Sequence, residues 1–89
     1  MAIGMIFDAN DVTEKQYDQV RAEVMPNDAL PNGMLYHAAG PREGGWSVVE
    51  VWSSEADARR FFDDKLNKAL ERAKISVKPK FFQVHAIVK

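Results

Sequence analysis

The chain has 89 residues, of which 46% are hydrophobic and 28% charged, and a net charge of −1. That length holds one domain on a single small core, and the composition excludes a disordered chain. Twelve basic against 13 acidic residues leave no global bias toward nucleic acid or an anionic membrane, and the lack of cysteine excludes disulfides, thiolate chemistry and a Cys-based zinc site. No apolar run approaches the roughly 18 residues of a membrane span. No basic segment followed by an apolar one marks a signal peptide, so a cytoplasmic location is the default expectation. The weak basic run Lys74, Lys78, Lys80 reads as a solvated helix end and loop.

Ala2 to Phe7 (AIGMIF) is almost wholly apolar, as suits a strand buried on both faces in the middle of a sheet. Asp8 to Asp11 then read as a turn-rich loop. Thr13 has the position of a helix N-cap, and Gln16 stands where it closes a capping box, with Val12 and Tyr17 at the staple positions. Tyr17, Val20 and Val24 form one apolar stripe, and Pro26 ends the helix. After a loop over Asn27 to Asn32, Met34 to Ala39 (MLYHAA) reads as a second strand. Gly40 to Gly45 (GPREGG) is its hairpin connection, lacking the strand-then-helix context of a phosphate-binding loop.

Trp46 to Trp52 (WSVVEVW) is a third strand, rich in β-branched and aromatic residues. Ser54 caps a second helix with Asp57 closing its box, and Ala58, Phe61, Phe62, Leu66, Ala69, Leu70 and Ala73 follow at helical spacing. Acidic residues gather toward the start of that helix and basic ones toward its end, complementing the dipole. Lys78 precedes Pro79 and is extended, and Phe81 to Val88 (FFQVHAIV) is the last strand.

The order βαββαβ over residues 1–89 predicts a single α+β domain. It is ferredoxin-like, a four-stranded antiparallel sheet with both helices on one face. Parity then assigns the faces. Val49, Val51, Phe82, Val84, Ala86 and Val88 are expected under the helices, and Trp46, Val48, Glu50, Trp52, Phe81, Gln83, His85 and Ile87 on the open face. So large an exposed apolar patch predicts a homodimer, sheet face to sheet face, with a small cavity between the sheets.

The run Val49-Glu50-Val51-Trp52-Ser53-Ser54-Glu55-Ala56 resembles the strand-to-helix junction of the antibiotic-biosynthesis-monooxygenase-like proteins, within the dimeric α+β barrel superfamily. The hairpin before it and the Phe61-Phe62 helix face also fit. The resemblance implies a dimeric α+β barrel whose counterpart of Trp52 lines a substrate cavity. In its enzymes that cavity takes aromatic polyketides or quinols without a bound cofactor. The expected first strand, Ala2 to Phe7, has no asparagine and residues 58–73 no histidine, which departs from the pattern of the haem-degrading members.

On the expected inner face, Trp52 and Trp46 are candidates to stack on a planar ligand, with Tyr36, Phe81 and Gln83 beside them, or else to fill the dimer core. Glu50, His85 and His37 are candidates to move a proton, His85 of one protomer facing His37 of the other. Tyr36 and His37 have opposite parity, so only one of them faces the cavity. These residues show no recognisable metal-ligand spacing. Two functions follow: a monooxygenase of an aromatic or quinone-like molecule that needs no metal or flavin, and a non-catalytic binding or interaction module of the same fold.

Overall fold

The computed structural model describes residues 2–88. Strand β1 is Ile3–Asn10, helix α1 Glu14–Val24, strand β2 Met34–Arg42 and strand β3 Gly45–Trp52. Helix α2 (Glu55–Phe61) runs through a π-helical turn at Phe62–Leu66 into α3 (Asn67–Arg72), and β4 is Lys80–Gln83. The sheet has the order β2-β3-β1-β4 with every neighbouring pair antiparallel. This is the ferredoxin-like arrangement expected from the order of elements, with β1 and β3 central.

Both predicted caps are present. Thr13 Oγ1 accepts the Gln16 N–H at 3.2 Å, and Gln16 Oε1 accepts the Thr13 N–H at 2.9 Å. Gln16 Nε2 also donates to the Ala73 carbonyl at 3.1 Å, which ties the start of α1 to the end of α3. Ser54 Oγ accepts the Asp57 N–H at 3.2 Å, but the Asp57 carboxylate pairs with Arg60 instead of closing the expected box. The second helix is continuous in sequence but widened at Phe62–Leu66, a feature that apolar spacing alone does not reveal.

The strands differ in length from expectation. β1 continues through Asp8, Ala9 and Asn10, which pair with Ser47, Trp46 and Gly45 rather than forming a loop. β2 likewise continues to Arg42, so the hairpin turns on Glu43 and Gly44 alone, with Gly44 at φ 78°. β4 is only four residues long. Val84 N–H donates to the Ala2 carbonyl at 3.1 Å, and residues 85–88 lie outside the strand.

The faces are the reverse of those expected. Ile3, Met5, Phe7 and Ala9 of β1 pair with Trp52, Glu50, Val48 and Trp46, and this side packs with Val20, Val24, Phe61, Leu66 and Leu70 of the helices. The tryptophans therefore belong to the helix-side core, where aromatic side chains bury the most apolar area. Phe81, opposite Met5, packs against the same core. The open face carries Ile6, Val49, Val51, Tyr36 and Phe82, with Phe82 46% exposed. Gly4 explains the position of Phe82. A Cβ on Gly4 would lie 2.1 Å from Phe82 Cζ, so the ring occupies space that only glycine leaves free.

Gly45 sits where β3 meets the end of β1, and a Cβ there would fall 2.0 Å from the Ala9 carbonyl oxygen. Backbone must move to relieve that clash. Gly45→Ala is expected to cost about 1–3 kcal/mol in urea unfolding, the usual range for overpacking a tight site. An unchanged midpoint would contradict this close approach.

Candidate functional site

Between the sheet and the helices of the same chain lies a cavity of about 70 Å3. Its walls come from β1, α1, β2, β3 and the second helix, and most of them are hydrocarbon: Phe7, Val20, Val48, Phe61 and Leu70 among others. The polar exceptions are Tyr17, His37, Glu50, Trp46 and Arg21. Apolar walls with a few polar residues among them are a feature of small-molecule sites, although this cavity is well below their usual volume of roughly 300–1,000 Å3.

The polar groups make one chain of hydrogen bonds across three elements. Trp52 Nε1–H donates to Glu50 Oε1 at 3.1 Å. Glu50 Oε2 stands 2.9 Å from His37 Nδ1, and His37 Nε2 stands 2.6 Å from the Tyr17 hydroxyl. Glu50 is only 3% exposed and Trp52 is fully buried. With one oxygen held as an acceptor by the indole, the carboxylate takes the imidazole Nδ1–H on the other. In the neutral imidazole that leaves Nε2 as the lone-pair nitrogen, to which the Tyr17 hydroxyl donates. A carboxylate that orients an imidazole in this way prepares its far nitrogen to accept a proton.

Local structure places each member. Glu50 and Trp52 are two apart on β3 and so share a face. Tyr17 heads the apolar stripe of α1, and its ring lies 5.2 Å from Trp46 and 6.1 Å from His37. His37 is turned inward by a β-bulge. β2 pairs Met34 with Trp52 but Tyr36 with Val51, so Leu35 is the extra residue and the parity flips behind it. His37 then lies opposite Glu50.

The residues singled out in the sequence are thus divided. His37, Glu50 and Trp46 meet at the cavity. Trp52 lies outside its lining, beneath the Glu50 carboxylate and 5.2 Å from the Phe61 ring. Tyr36 is 56% exposed on the open face, the outcome of the bulge. Phe81 packs under the Arg59 guanidinium, 4.4 Å from ring centroid to Cζ, away from the cavity. Gln83 and His85 are exposed where β4 ends, and His37 is hydrogen-bonded to Glu50 and Tyr17 of its own chain. This cavity lies between the sheet and the helices of a single chain. Among the described residues, no three His, Asp or Glu side chains are grouped as they would be around a metal ion.

Tyr17 is the member that sequence reading missed. It was fully accounted for as a staple and stripe residue, and nothing in the sequence links a helix tyrosine to a strand histidine 20 positions away.

No protein-family model matches the chain, and no curated protein is similar to it in sequence. Solved structures share its fold. SnoaB, a cofactor-independent oxygenase from Streptomyces nogalater, superposes with a TM-score of 0.66 at 12% identity, over 98% of this chain and 94% of SnoaB. An antibiotic-biosynthesis-monooxygenase-like protein from Chloroflexus aurantiacus superposes with a TM-score of 0.69 at 14% identity, over 100% and 98% of the two chains. A dimeric ferredoxin-like protein of unknown function from Thermobifida fusca does so with a TM-score of 0.65 at 24% identity, over 94% and 92%. The chain therefore has the fold of the antibiotic-biosynthesis-monooxygenase-like proteins.

Burial, reinforced by the nearby Glu50 carboxylate and opposed by Arg21, holds the Tyr17 phenol above its ordinary pKa of 10.0. The folded chain binds that proton more tightly than the unfolded chain does. The resulting stabilisation is complete below the ordinary value and is lost as pH rises through the raised one. Wild type is expected to lose stability more steeply than Tyr17→Phe above about pH 10, as read from urea midpoints. Parallel curves for the two would contradict the burial of the phenol.

Proposed function

We propose that this chain is a cofactor-independent monooxygenase of a small phenolic or quinol-like aromatic molecule, with His37 as the general base. The observation that carries the reading is the hydrogen-bonded series Trp52–Glu50–His37–Tyr17 opening on an apolar cavity. Tyr17 supports the substrate class. Its hydroxyl on His37 Nε2 is a phenol already resting on the base, stacked against Trp46, and a substrate phenol or activated C–H would take its place. The shared fold with the cofactor-independent oxygenase SnoaB supports the reaction class.

In the proposed reaction, His37 Nε2 takes a proton from an activated CH2 of the substrate, and Glu50 stabilises the imidazolium. The carbanion gives one electron to dioxygen, and the radical pair joins as a C–O bond. The peroxide takes the proton back from His37, and loss of water leaves a carbonyl. The sum is CH2 + O2 → C=O + H2O. Apolar walls favour this course, because they keep water from protonating the carbanion before oxygen arrives.

We propose further that the protein acts as a homodimer through the open face of its sheet, where Ile6, Tyr36, Val49, Val51 and Phe82 form an apolar surface. The dimeric ferredoxin-like neighbour from Thermobifida fusca supports this. Wild type is expected to sediment as a dimer at micromolar concentration. Val49→Lys, which sets an unpaired charge in that face, should sediment as a folded monomer. A monomeric wild type would overturn the dimer.

Oxygen uptake with a panel of one-ring phenols carrying an activated CH2 beside a carbonyl, such as 4-hydroxyphenylacetone, tests the chemistry. His37→Ala should lower the rate about 10²–10⁴-fold, the usual contribution of a general base. Glu50→Gln should lower it through loss of the tautomer control. Binding of the panel without uptake above background would instead assign the site to a non-catalytic binding module.

A further inference from the structure

Among the titratable groups of the hydrogen-bonded series, Tyr17 has no chemical step of its own in the proposed reaction. Its hydroxyl stands 2.6 Å from His37 Nε2, and His37 Nδ1 stands 2.9 Å from Glu50 Oε2. Glu50 is only 3% exposed, so water screens little of its charge where it faces the imidazole. A phenol, a neutral imidazole and a buried carboxylate are thus joined in line.

This arrangement suits the removal of one electron from the phenol. Losing an electron makes a phenol a far stronger acid, and the radical cation is costly unless its proton leaves in the same step. In water the proton must find a weak base. Here an imidazole nitrogen already holds it in a hydrogen bond, and the carboxylate on the far nitrogen stabilises the imidazolium that forms. The products are a neutral phenoxyl and an imidazolium matched by Glu50, so no unpaired charge is left among the apolar walls. Burial, reinforced by Glu50, keeps the Tyr17 phenol protonated, so its proton has to move with the electron. The other charged groups close to the phenol are Arg21 and Asp18 of its own helix, and they pair with each other at 3.6 Å.

We propose that Tyr17 is a redox-active residue, a one-electron donor whose hydroxyl proton passes to His37 Nε2 in the same step. The Tyr17 O–H bond breaks and an N–H bond forms at His37 Nε2. The electron goes to an organic peroxyl or aryloxyl radical, which becomes the corresponding anion. Tyr17 is partly exposed, so such an oxidant comes close to its ring without entering the cavity. The step uses the resting contact between Tyr17 and His37 and no bound substrate, so it is independent of the monooxygenase reading.

Flash-generated tris(bipyridine)ruthenium(III), an outer-sphere oxidant, tests this in Tyr36→Phe protein, where Tyr17 is the only tyrosine. The tyrosyl radical is followed by its absorbance and told from a tryptophan radical by its EPR spectrum. N-acetyltyrosinamide, whose proton goes to water, is the reference. Tyr17 is expected to form its radical about 10²-fold faster than the reference, the lower end of what a positioned proton acceptor contributes. Its rate should also stay flat between about pH 8 and 9, above the usual range of imidazole protonation and below that of phenol ionisation, while the reference rate climbs. His37→Gln keeps an acceptor oxygen for the hydroxyl but no base, and should bring the rate down to the reference level.

A Tyr17 rate no faster than the reference overturns the proposal, as does a pH slope parallel to that of the reference. An unchanged rate in His37→Gln overturns it as well, since the histidine would then serve only to hold the ring in place. If His37→Gln does not fold, the rate and the pH slope of the protein with His37 intact decide alone.

Discussion

A carboxylate held almost free of water must be met by hydrogen-bond donors, because the cost of stripping its hydration is several kcal/mol. Glu50 meets that condition with one donor on each oxygen, Trp52 Nε1–H on the first and His37 on the second. Much else in the structure follows from satisfying this group. Trp52 must lie on the same strand face two residues away, which places both tryptophans and the glutamate under the helices. His37 must face β3 from the neighbouring strand, which requires the bulge at Leu35. Removing either partner would leave a buried charge half-satisfied, a larger loss than one ordinary hydrogen bond.

The same requirement links stability to chemistry. An imidazole fixed by a carboxylate on Nδ1 has one nitrogen left to work with, and here it points to a phenol on α1. The helix is anchored for this purpose by its capping box and by the bond from Gln16 to the Ala73 carbonyl, which fixes α1 against the end of the second helix. His37 is thus held by groups from β3 and α1 among apolar walls. Under the proposed function, that support orients it for proton abstraction from a phenol or carbon acid.

Much of the fold was legible because it is written in local signals. Thr13, Gln16 and Ser54 mark helix starts, Pro26 a helix end, and the glycines of Gly40 to Gly45 a hairpin. The faces of the sheet were not. A glutamate between two valines reads as the polar side of a strand, since nothing in WSVVEVW shows that Trp52 and His37 will satisfy it. With Val49 and Val51 expected under the helices, Glu50, Trp46 and Trp52 fall together on the open face by parity, and the expected cavity with them. A choice left open by the sequence has a different cause. The choice between Tyr36 and His37 turns on one extra residue in β2, and a bulge leaves no mark in the alternation of MLYHAA. Phe82 illustrates a third case, in which the apolar ring lies on the open face because Gly4, on another strand, leaves it a hollow. Long-range pairing decided all three.

The central claim is that Glu50 sets the tautomer of His37 and so makes Nε2 the base. Long-range 1H–15N correlation spectra of the imidazole rings at neutral pH test it most directly, with the two histidines told apart by a His85 variant. The account predicts that His37 carries its proton on Nδ1 and that Nε2 resonates as an unprotonated nitrogen accepting a hydrogen bond. A proton on Nε2, with Nδ1 bare against Glu50, would contradict it.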